Sequence, residues 1–405
     1  MQGGRLFSWI LLTVLAISST GLGGHPQNRE SQNPKFRAGV DLIAIEAHVV
    51  SRDGVPIEGL EPPQFEVFID GKRRDVAFAD LVKAGTVSGQ DAAATGSGVA
   101  PSRRIVLVAV DQASFPPSAQ ASAREAATRV LKSVVPGDYL GLVAFPEGVV
   151  VAPTQDHLQV QAAIPRISGI RTDPVRTQFN ISASEASALK SRDSVATAEI
   201  TNRECSRRFG DPTCKQEVIQ DGGRIADALA HQAGHSINGL HGIVDALRPI
   251  EGRKTLLVIS AGLPMRRGGT PDPEGETALL ARRAAAANVN LYVLYMNIHF
   301  LRAFSAEYGK RNNTLFDDIS MFGYGLEKFA DAAGGTFFQI EVGSDPFVAR
   351  ALRETSAWYV LGVHARPEDR DGKDHFIRLN VRQRGSSVRY RRVVNIPPPE
   401  KKIGG

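Results

Sequence analysis

Residues 106–115 read VLVAVDQASF, and this stretch decides how the middle of the chain folds. Five apolar residues lead directly into Asp111, which is followed by small and polar side chains. A strand that is apolar on both faces is typical of a parallel sheet covered by helices on both sides. In open α/β sheets, ligand-binding loops follow the carboxyl ends of the strands. The stretch therefore predicts a buried parallel strand, and it leaves Asp111 either as a divalent-metal ligand or as a residue that caps the following helix or accepts hydrogen bonds from buried amides.

The same alternation of strand and helix continues on both sides of this stretch. A long helix is expected from about Arg224 to Leu247, because apolar residues recur there every three or four positions. We predict an α/β domain over residues 103–356, a Rossmann-like doubly wound and mostly parallel sheet, with a polar insertion at residues 174–223. Its other buried strands are expected at DYLGLVAF (138–145), RKTLLVIS (253–260), VNLYVLY (289–295) and TFFQI (336–340).

The two ends of the chain have β character instead. Residues 38–82 and 357–396 contain short strand-like runs separated by turn signals, and each segment is too small to enclose a core. We therefore predict that the two segments pack together as one β-sandwich. Residues 83–102, rich in Gly, Ala and Ser, are expected to be a flexible linker.

The N-terminus predicts export. Arg5 precedes an apolar run of 12 residues, LFSWILLTVLAI, and small residues follow it, which is the pattern of a signal peptide over residues 1–23. The run is shorter than the roughly 20 residues that span a bilayer, so the mature chain is expected to be secreted or periplasmic and without a transmembrane segment. Cys205 and Cys214 are the two cysteines of the chain, and we expect them to form a disulfide.

Charge excludes one class of partner. The chain of 405 residues carries a net charge of +5, but its basic residues are scattered along the sequence rather than grouped on one segment. Nucleic-acid-binding proteins concentrate such residues into a patch, so no nucleic-acid partner is predicted.

Several motifs recur in order along the chain: GLEPPQFEVFIDGK (59–72), EGRKTLLVISAGLP (251–264), AAAANVNLYVL (284–294), and WYVLGV with DGKDHFIRLNVR (358–382). With these motifs the chain resembles an exported bacterial subset of proteins related to the von Willebrand factor type A (VWFA) domain. The resemblance covers nearly the whole chain after the signal peptide. It implies a metal-ion-dependent adhesion site, in which an Asp-x-Ser-x-Ser loop, a threonine and a second aspartate hold the cation.

The first ligand loop of that site is only partly present. Asp111 matches the first aspartate, but Ala113 and Phe115 occupy the two serine positions. Ser114 lies out of register between them. Thr172 falls where the resemblance places the threonine.

The second aspartate is missing, because Ala261 and Gly262 follow the strand that ends at Ser260. The resemblance thus implies a degenerate site that requires no cofactor and binds Mg²⁺ or Ca²⁺ weakly at most, through Asp111. Asp111, Ser114 and Thr172 remain the candidate residues for partner or ligand binding.

A histidine pattern offers a different chemistry. His231, His235 and His241 have the spacing of the metzincin zinc proteases, and two histidines four residues apart share one helix face. Gln232 replaces the glutamate that would act as the general base, and Asn238 replaces the glycine that would turn the chain. Polar-face histidines on a packed helix are the alternative.

Three functions follow from these patterns. The first is an exported, non-enzymatic recognition or adhesion protein that binds a protein partner through loops at the carboxyl ends of the strands. The second is an exported zinc metalloprotease that uses the three histidines. The third is a structural, envelope-associated module. The identity of the partner and the oligomeric state stay open.

Overall fold

Two antiparallel sheets and one mostly parallel sheet make up the structure, a computed structural model that describes residues 42–84, 104–171, 178–208, 210–266, 269, 271–298, 314–340 and 345–398. The strands are β1 (Leu42–Val50), β2 (Phe65–Ile69), β3 (Lys72–Arg74), β4 (Val76–Lys83), β5 (Ile105–Asp111), β6 (Tyr139–Phe145), β7 (Val150–Thr154), β8 (Lys254–Ser260), β9 (Val289–Met296), β10 (Phe337–Ile340), β11 (Ala357–His364), β12 (Asp374–Val381), β13 (Ser387–Tyr390) and β14 (Val393–Asn395).

The α-helices of the described residues lie mainly between the strands of the central region. They are α1 (Gln120–Ser133), α2 (His157–Ala163), α3 (Ala183–Lys190), α4 (Ser194–Glu204), α5 (Pro212–Leu247), α6 (Pro273–Ala286), α7 (Leu315–Ala332) and α8 (Asp345–Glu354).

The central sheet has six strands in the order β10-β9-β8-β5-β6-β7. All neighbours in it are parallel except β7, which runs antiparallel to β6. The chain moves outward from β5 to β7 on one side and from β8 to β10 on the other. The point where strand order reverses therefore lies between β5 and β8, and the predicted mixed α/β architecture with a mostly parallel sheet is confirmed.

Helices cover both faces of this sheet. Val106, Val108 and Val110 of β5 face a core that includes buried residues of α1 and α8. Leu107 and Ala109, which point the other way, face a core built with α5, α6 and α7. Every position of β5 is buried, and this explains why residues 106–110 are all apolar.

The remaining strands form two four-stranded sheets, in the orders β13-β1-β11-β4 and β14-β12-β2-β3. Both sheets combine strands from the start of the described chain with strands from its end. Their inward-facing side chains, such as Ile45, Val67, Leu361 and Leu379, belong to one shared hydrophobic core. The alternation of buried and exposed positions on β12 is typical of a sheet with one covered face.

Helix α5 is longer than the sequence predicted. It begins at Pro212 instead of near Arg224, and the Asp211 side chain accepts a 2.8 Å hydrogen bond from the Thr213 amide at its first turn. The predicted start near Arg224 left Gly222 and Gly223 outside the helix. Both glycines lie within α5, which has a capped N-terminus and a proline at its first position.

The insertion, the linker and the signal peptide are the other segments that the sequence predicts. The insertion over 174–223 contains α3, α4 and the first turns of α5, and the predicted linker at 83–102 begins late, because Lys83 still belongs to β4. The rest of the linker and the predicted signal peptide, 1–23, lie outside the described residues. Among the described helices, none is long and apolar enough to cross a membrane.

Candidate functional site

Asp111 ends β5 and lies inside the protein with 1% of its surface exposed. Its carboxylate accepts hydrogen bonds from two hydroxyl groups. Ser236 Oγ lies 3.0 Å from Oδ1 and 2.8 Å from Oδ2, and Ser260 Oγ lies 2.9 Å from Oδ2. A buried carboxylate needs such donors, because an unpaired charge in the interior is costly.

The two serines reach Asp111 from different elements. Ser260 is the last residue of β8, the neighbour of β5, so this hydrogen bond spans the point where strand order reverses. Ser236 lies on the buried face of α5, next to Ile237, which packs in the core of that face. The crevice that an open α/β sheet offers to a ligand at this point is therefore filled by a side chain of α5.

Ser114 is a second internal connection at this edge. Its hydroxyl donates a 2.6 Å hydrogen bond to the Asp111 carbonyl and accepts a 2.8 Å hydrogen bond from the Ala261 amide. Its side chain is fully buried. Ser114 therefore ties the turn after β5 to the segment after β8, and it is not part of an accessible surface.

Burial raises the pKa of Asp111 to about 6. The Ser236 and Ser260 hydroxyls oppose this rise, since they stabilise the charged form, and the amides of Ala113 and Ser114 act in the same direction. Desolvation outweighs these hydrogen bonds.

The groups around Asp111 do not fit a divalent cation. Ala113 and the fully buried Phe115 offer no side-chain oxygen, and both carboxylate oxygens already accept hydroxyl protons. Hard cations require six or more oxygen ligands, several of them usually carboxylates. Across the described parts of the chain, no three His, Cys, Asp or Glu side chains are arranged to hold a metal ion. Thr172, the expected threonine ligand, lies outside the described residues.

The alternative interpretation had two parts, that Asp111 caps the following helix or that it accepts hydrogen bonds from buried amides, and the amides of Ala113 and Ser114 agree with the second part. The chain after Asp111 forms a short 3₁₀ turn over Gln112–Ser114, in which these two amides face the carboxylate without the geometry of a helix cap. Helix α1 begins only at Gln120. The carboxylate instead turns inward to the two serines.

The three histidines of α5 do not come together. The helix is continuous from Pro212 to Leu247, so His241 points away from His231 and His235, which are both exposed. His231 and His235 lie on the polar face, as the alternative interpretation expects, whereas His241 is only 7% exposed and has Nε2 3.9 Å from Glu276 of α6. Burial and the nearby Arg283 lower the pKa of His241. A zinc site with these ligands is not supported.

The predicted disulfide between Cys205 and Cys214 is present and connects the end of α4 to the start of α5. Both cysteines are buried in a small core with Leu189 of α3 and Ile200 of α4. The insertion therefore has a hydrophobic core of its own beside the central sheet.

Ser236 was not singled out from the sequence, although a signal for it exists. It lies between Ala233 and Ile237 in the apolar stripe of α5, where a polar residue must find a buried partner. The sequence cannot identify that partner, because Asp111 is 125 positions away.

Comparison of the chain with protein-family models and with curated proteins finds no match to either. By its fold, the chain is a mixed α/β protein with one mostly parallel sheet and two antiparallel sheets.

Proposed function

We propose that this chain is an exported recognition protein related to the VWFA domain, and that it binds a protein partner through the carboxyl edge of its parallel sheet. The observation that carries the proposal is a pair of exposed apolar side chains at this edge. Phe316 is 78% exposed and Ile170 is 47% exposed. Exposed aromatic and aliphatic side chains are typical anchors of protein–protein interfaces.

Backbone contacts place Ile170 at this edge. Its amide donates a 3.0 Å hydrogen bond to Gln112, and the Arg171 amide donates a 3.1 Å hydrogen bond to Phe115. Both acceptors belong to the loop that follows β5. Thr172, the remaining candidate from the sequence, is the next residue of the chain.

Phe316 lies in the first turn of α7, which among the described residues lies between β9 and β10. A helix that connects two parallel strands begins at their carboxyl edge. The Leu263 amide, in the segment after β8, donates a 2.8 Å hydrogen bond to Phe322 of α7. The start of α7 therefore belongs to the same edge as the loop after β5.

Asp111 has a supporting role in this proposal. Ser260, Ser236 and Ser114 hold the loop after β5 against β8 and α5 from the inside. Rigid supports of this kind lower the entropy that a binding surface loses when a partner arrives. The degenerate metal site would then be an internal replacement, in which hydroxyl donors take the place of a cation.

The cellular location of the protein forms part of the same proposal. A disulfide is typical of oxidising compartments, and a protein exported by the expected signal peptide would reach one. The Cys205–Cys214 bond therefore supports a secreted or periplasmic location.

A photo-crosslinking residue introduced at position 316 or 170 tests the proposal. Leu158 provides the matched control, because it is 72% exposed and lies in α2 at the opposite edge, where His157 Nε2 is 2.9 Å from the Asp138 carbonyl at the start of β6. After incubation with the envelope fraction of the native host, we expect defined adducts from positions 316 and 170 and none from 158. Equal adduct formation at all three positions, or none at any, would contradict the proposal.

A further inference from the structure

An open cleft of about 490 Å³ lies between α6 and α7 on one side and β12 and β14 on the other. Ala281, Ala332 and Val393 pack together at this junction and give it an apolar floor. The Arg392 amide donates a 3.3 Å hydrogen bond to the Ala332 carbonyl, so the two walls are connected. This volume is in the range of small-molecule sites, roughly 300–1,000 Å³.

Phe376 is exposed at this cleft for 65% of its surface. It occupies an outward position of β12, a face whose other side chains are Asp374, Arg378 and Asn380. The Phe376 amide donates a 2.9 Å hydrogen bond to Asp70 Oδ1. This hydrogen bond holds the backbone of Phe376 in place, and the exposed Phe376 ring is available to a ligand.

Four charged side chains line the cleft, and three of them already have partners. Arg392 donates a 2.7 Å hydrogen bond to Asp331, and Glu274 has an interaction of its own. Lys328 makes no ion pair with any described residue, and its ammonium group lies 5.5 Å from the centre of the Tyr324 ring. Tyr324 is one helical turn before Lys328, so the cation–π contact positions the ammonium group at the cleft.

From this combination we infer that the cleft binds a small organic acid with an aromatic or aliphatic body. The carboxylate would pair with Lys328, and the apolar body would pack between Phe376 and the apolar floor. A single negative charge is the complement of Lys328, the cation of the cleft that has no ion pair among the described residues, and an apolar body is the complement of the exposed ring.

Titration of the mature protein with 3-phenylpropionate and with its uncharged amide, followed by ligand-observed NMR, tests this assignment. We expect saturable binding of the acid and a roughly two- to fivefold weaker affinity for the amide, as is typical of an exposed ion pair. Lys328→Met should remove this preference. Lys132→Met, at an exposed position of α1, is the matched control and should retain it.

Phe376→Ser should weaken the binding of the acid and of the amide alike, while Phe316→Ser at the distant carboxyl edge should leave both unchanged. Lys328 and Phe376 are exposed, so circular dichroism should show that the variants are folded. The inference is overturned if the acid shows no saturable binding at millimolar concentration, or if Lys328→Met keeps the preference for the acid. It is also overturned if only a peptide with a carboxyl-terminal phenylalanine binds.

Discussion

The hydroxyl group of Ser260 donates a 2.9 Å hydrogen bond to the Asp111 carboxylate, and this contact joins the ends of the two central strands of the parallel sheet. Both residues are inaccessible to solvent, with 0% and 1% of their surfaces exposed. The position at which a doubly wound sheet usually receives a ligand is thus occupied by the protein itself. Because Asp111 is buried, its pKa can be tested by measuring how the free energy of unfolding depends on pH.

Replacement of Asp111 by asparagine should make the stability of the protein less dependent on pH. The folded-state pKa of Asp111 is raised from 3.8 to about 6, so the native state binds this proton more tightly than the unfolded state does. The free energy of unfolding of the parent protein should therefore fall by about 3 kcal/mol through this group as pH rises from about 4 to 6. Denaturant titrations at pH 4 and 8 should show that Asp111→Asn gains stability relative to the parent at the higher pH. An unchanged difference between the two proteins would contradict the raised pKa.

Removal of the Ser236 hydroxyl should destabilise the protein, because Asp111 would lose a donor that bonds both of its oxygens. We expect Ser236→Ala to lower the free energy of unfolding by about 1–3 kcal/mol at pH 7. Ser133→Ala is the control, since that exposed hydroxyl bonds only the Arg129 carbonyl on its own helix. Equal losses of unfolding free energy in the two variants, measured by urea titration, would show that the contact with Asp111 contributes no more to stability than an exposed hydroxyl does.

Arg253 is a buried connection between the central sheet and the antiparallel sheets. Its guanidinium donates a 2.8 Å hydrogen bond to Glu46 and lies 2.6 Å from His48 Nε2, and it also contacts Asn290 and the Trp358 ring. Burial lowers the pKa of Arg253 to about 10 and, together with Arg253, holds the pKa of His48 well below 6.5. The neutral His48 therefore accepts from Arg253 at Nε2 and donates from Nδ1 to Ala357.

We expect Arg253→Ala to lower the free energy of unfolding by about 1–3 kcal/mol, since buried His48 and Asn290 would lose a donor and Glu46 would keep only its 3.2 Å hydrogen bond from Arg391. Arg283→Ala breaks an exposed pair with Asp245 and should cost less than about 1 kcal/mol. Thermal and urea unfolding of both variants make the comparison. A small effect of Arg253→Ala would mean that water enters and solvates the remaining charge.

Two consecutive glycines of α5 should respond oppositely to alanine. A Cβ atom at Gly222 would lie 2.3 Å from Leu189 Cδ1, whereas one at Gly223 would meet nothing within 4 Å. Gly222→Ala should therefore separate α3 from α5 and cost about 1–3 kcal/mol. Gly223→Ala should stabilise the protein by about 0.5–1 kcal/mol, because alanine favours the helix. Urea titrations that gave both changes the same sign would contradict the close packing of α3 on α5.

His375 should stabilise the protein most at low pH. Its burial lowers its pKa, but the hydrogen bonds to Asp70 at 2.7 Å and Asp371 at 3.1 Å outweigh this effect, and the net pKa is raised above 6.5. The native state then binds the proton more tightly, so the stabilisation is complete below pH 6.5 and is lost as pH rises through the folded-state pKa.

NMR titration of the His375 ring should give a pKa above 6.5. The stability difference between the parent protein and His375→Gln should shrink as pH increases above that value. His364→Gln, at an exposed position that ends β11, is the control for the loss of an imidazole ring. A ring that titrates below 6.5 would mean that burial prevails over the two carboxylates.

The local elements were the most predictable part of the fold. β5, β8 and β9 are continuous apolar runs, and strands with both faces covered by helices have this signature. The start of α5 was predicted wrongly, because the contact of Gly222 with Leu189 and the cap by Asp211 outweigh the low helix propensity of glycine. Propensity is local, and tertiary contacts can override it.

The sequence by itself determined that residue 111 would follow a buried strand at the carboxyl edge of a parallel sheet, because the pattern of apolar residues depends only on neighbours along the chain. Only the tertiary structure decided what Asp111 does there. Its partners, Ser236 and Ser260, are 125 and 149 positions away, and their hydroxyl groups meet the carboxylate only after α5 packs across β5 and β8. Hydrogen bonds between distant segments are directional and short in range, so they arise from the packing of whole elements and leave little trace in the local sequence.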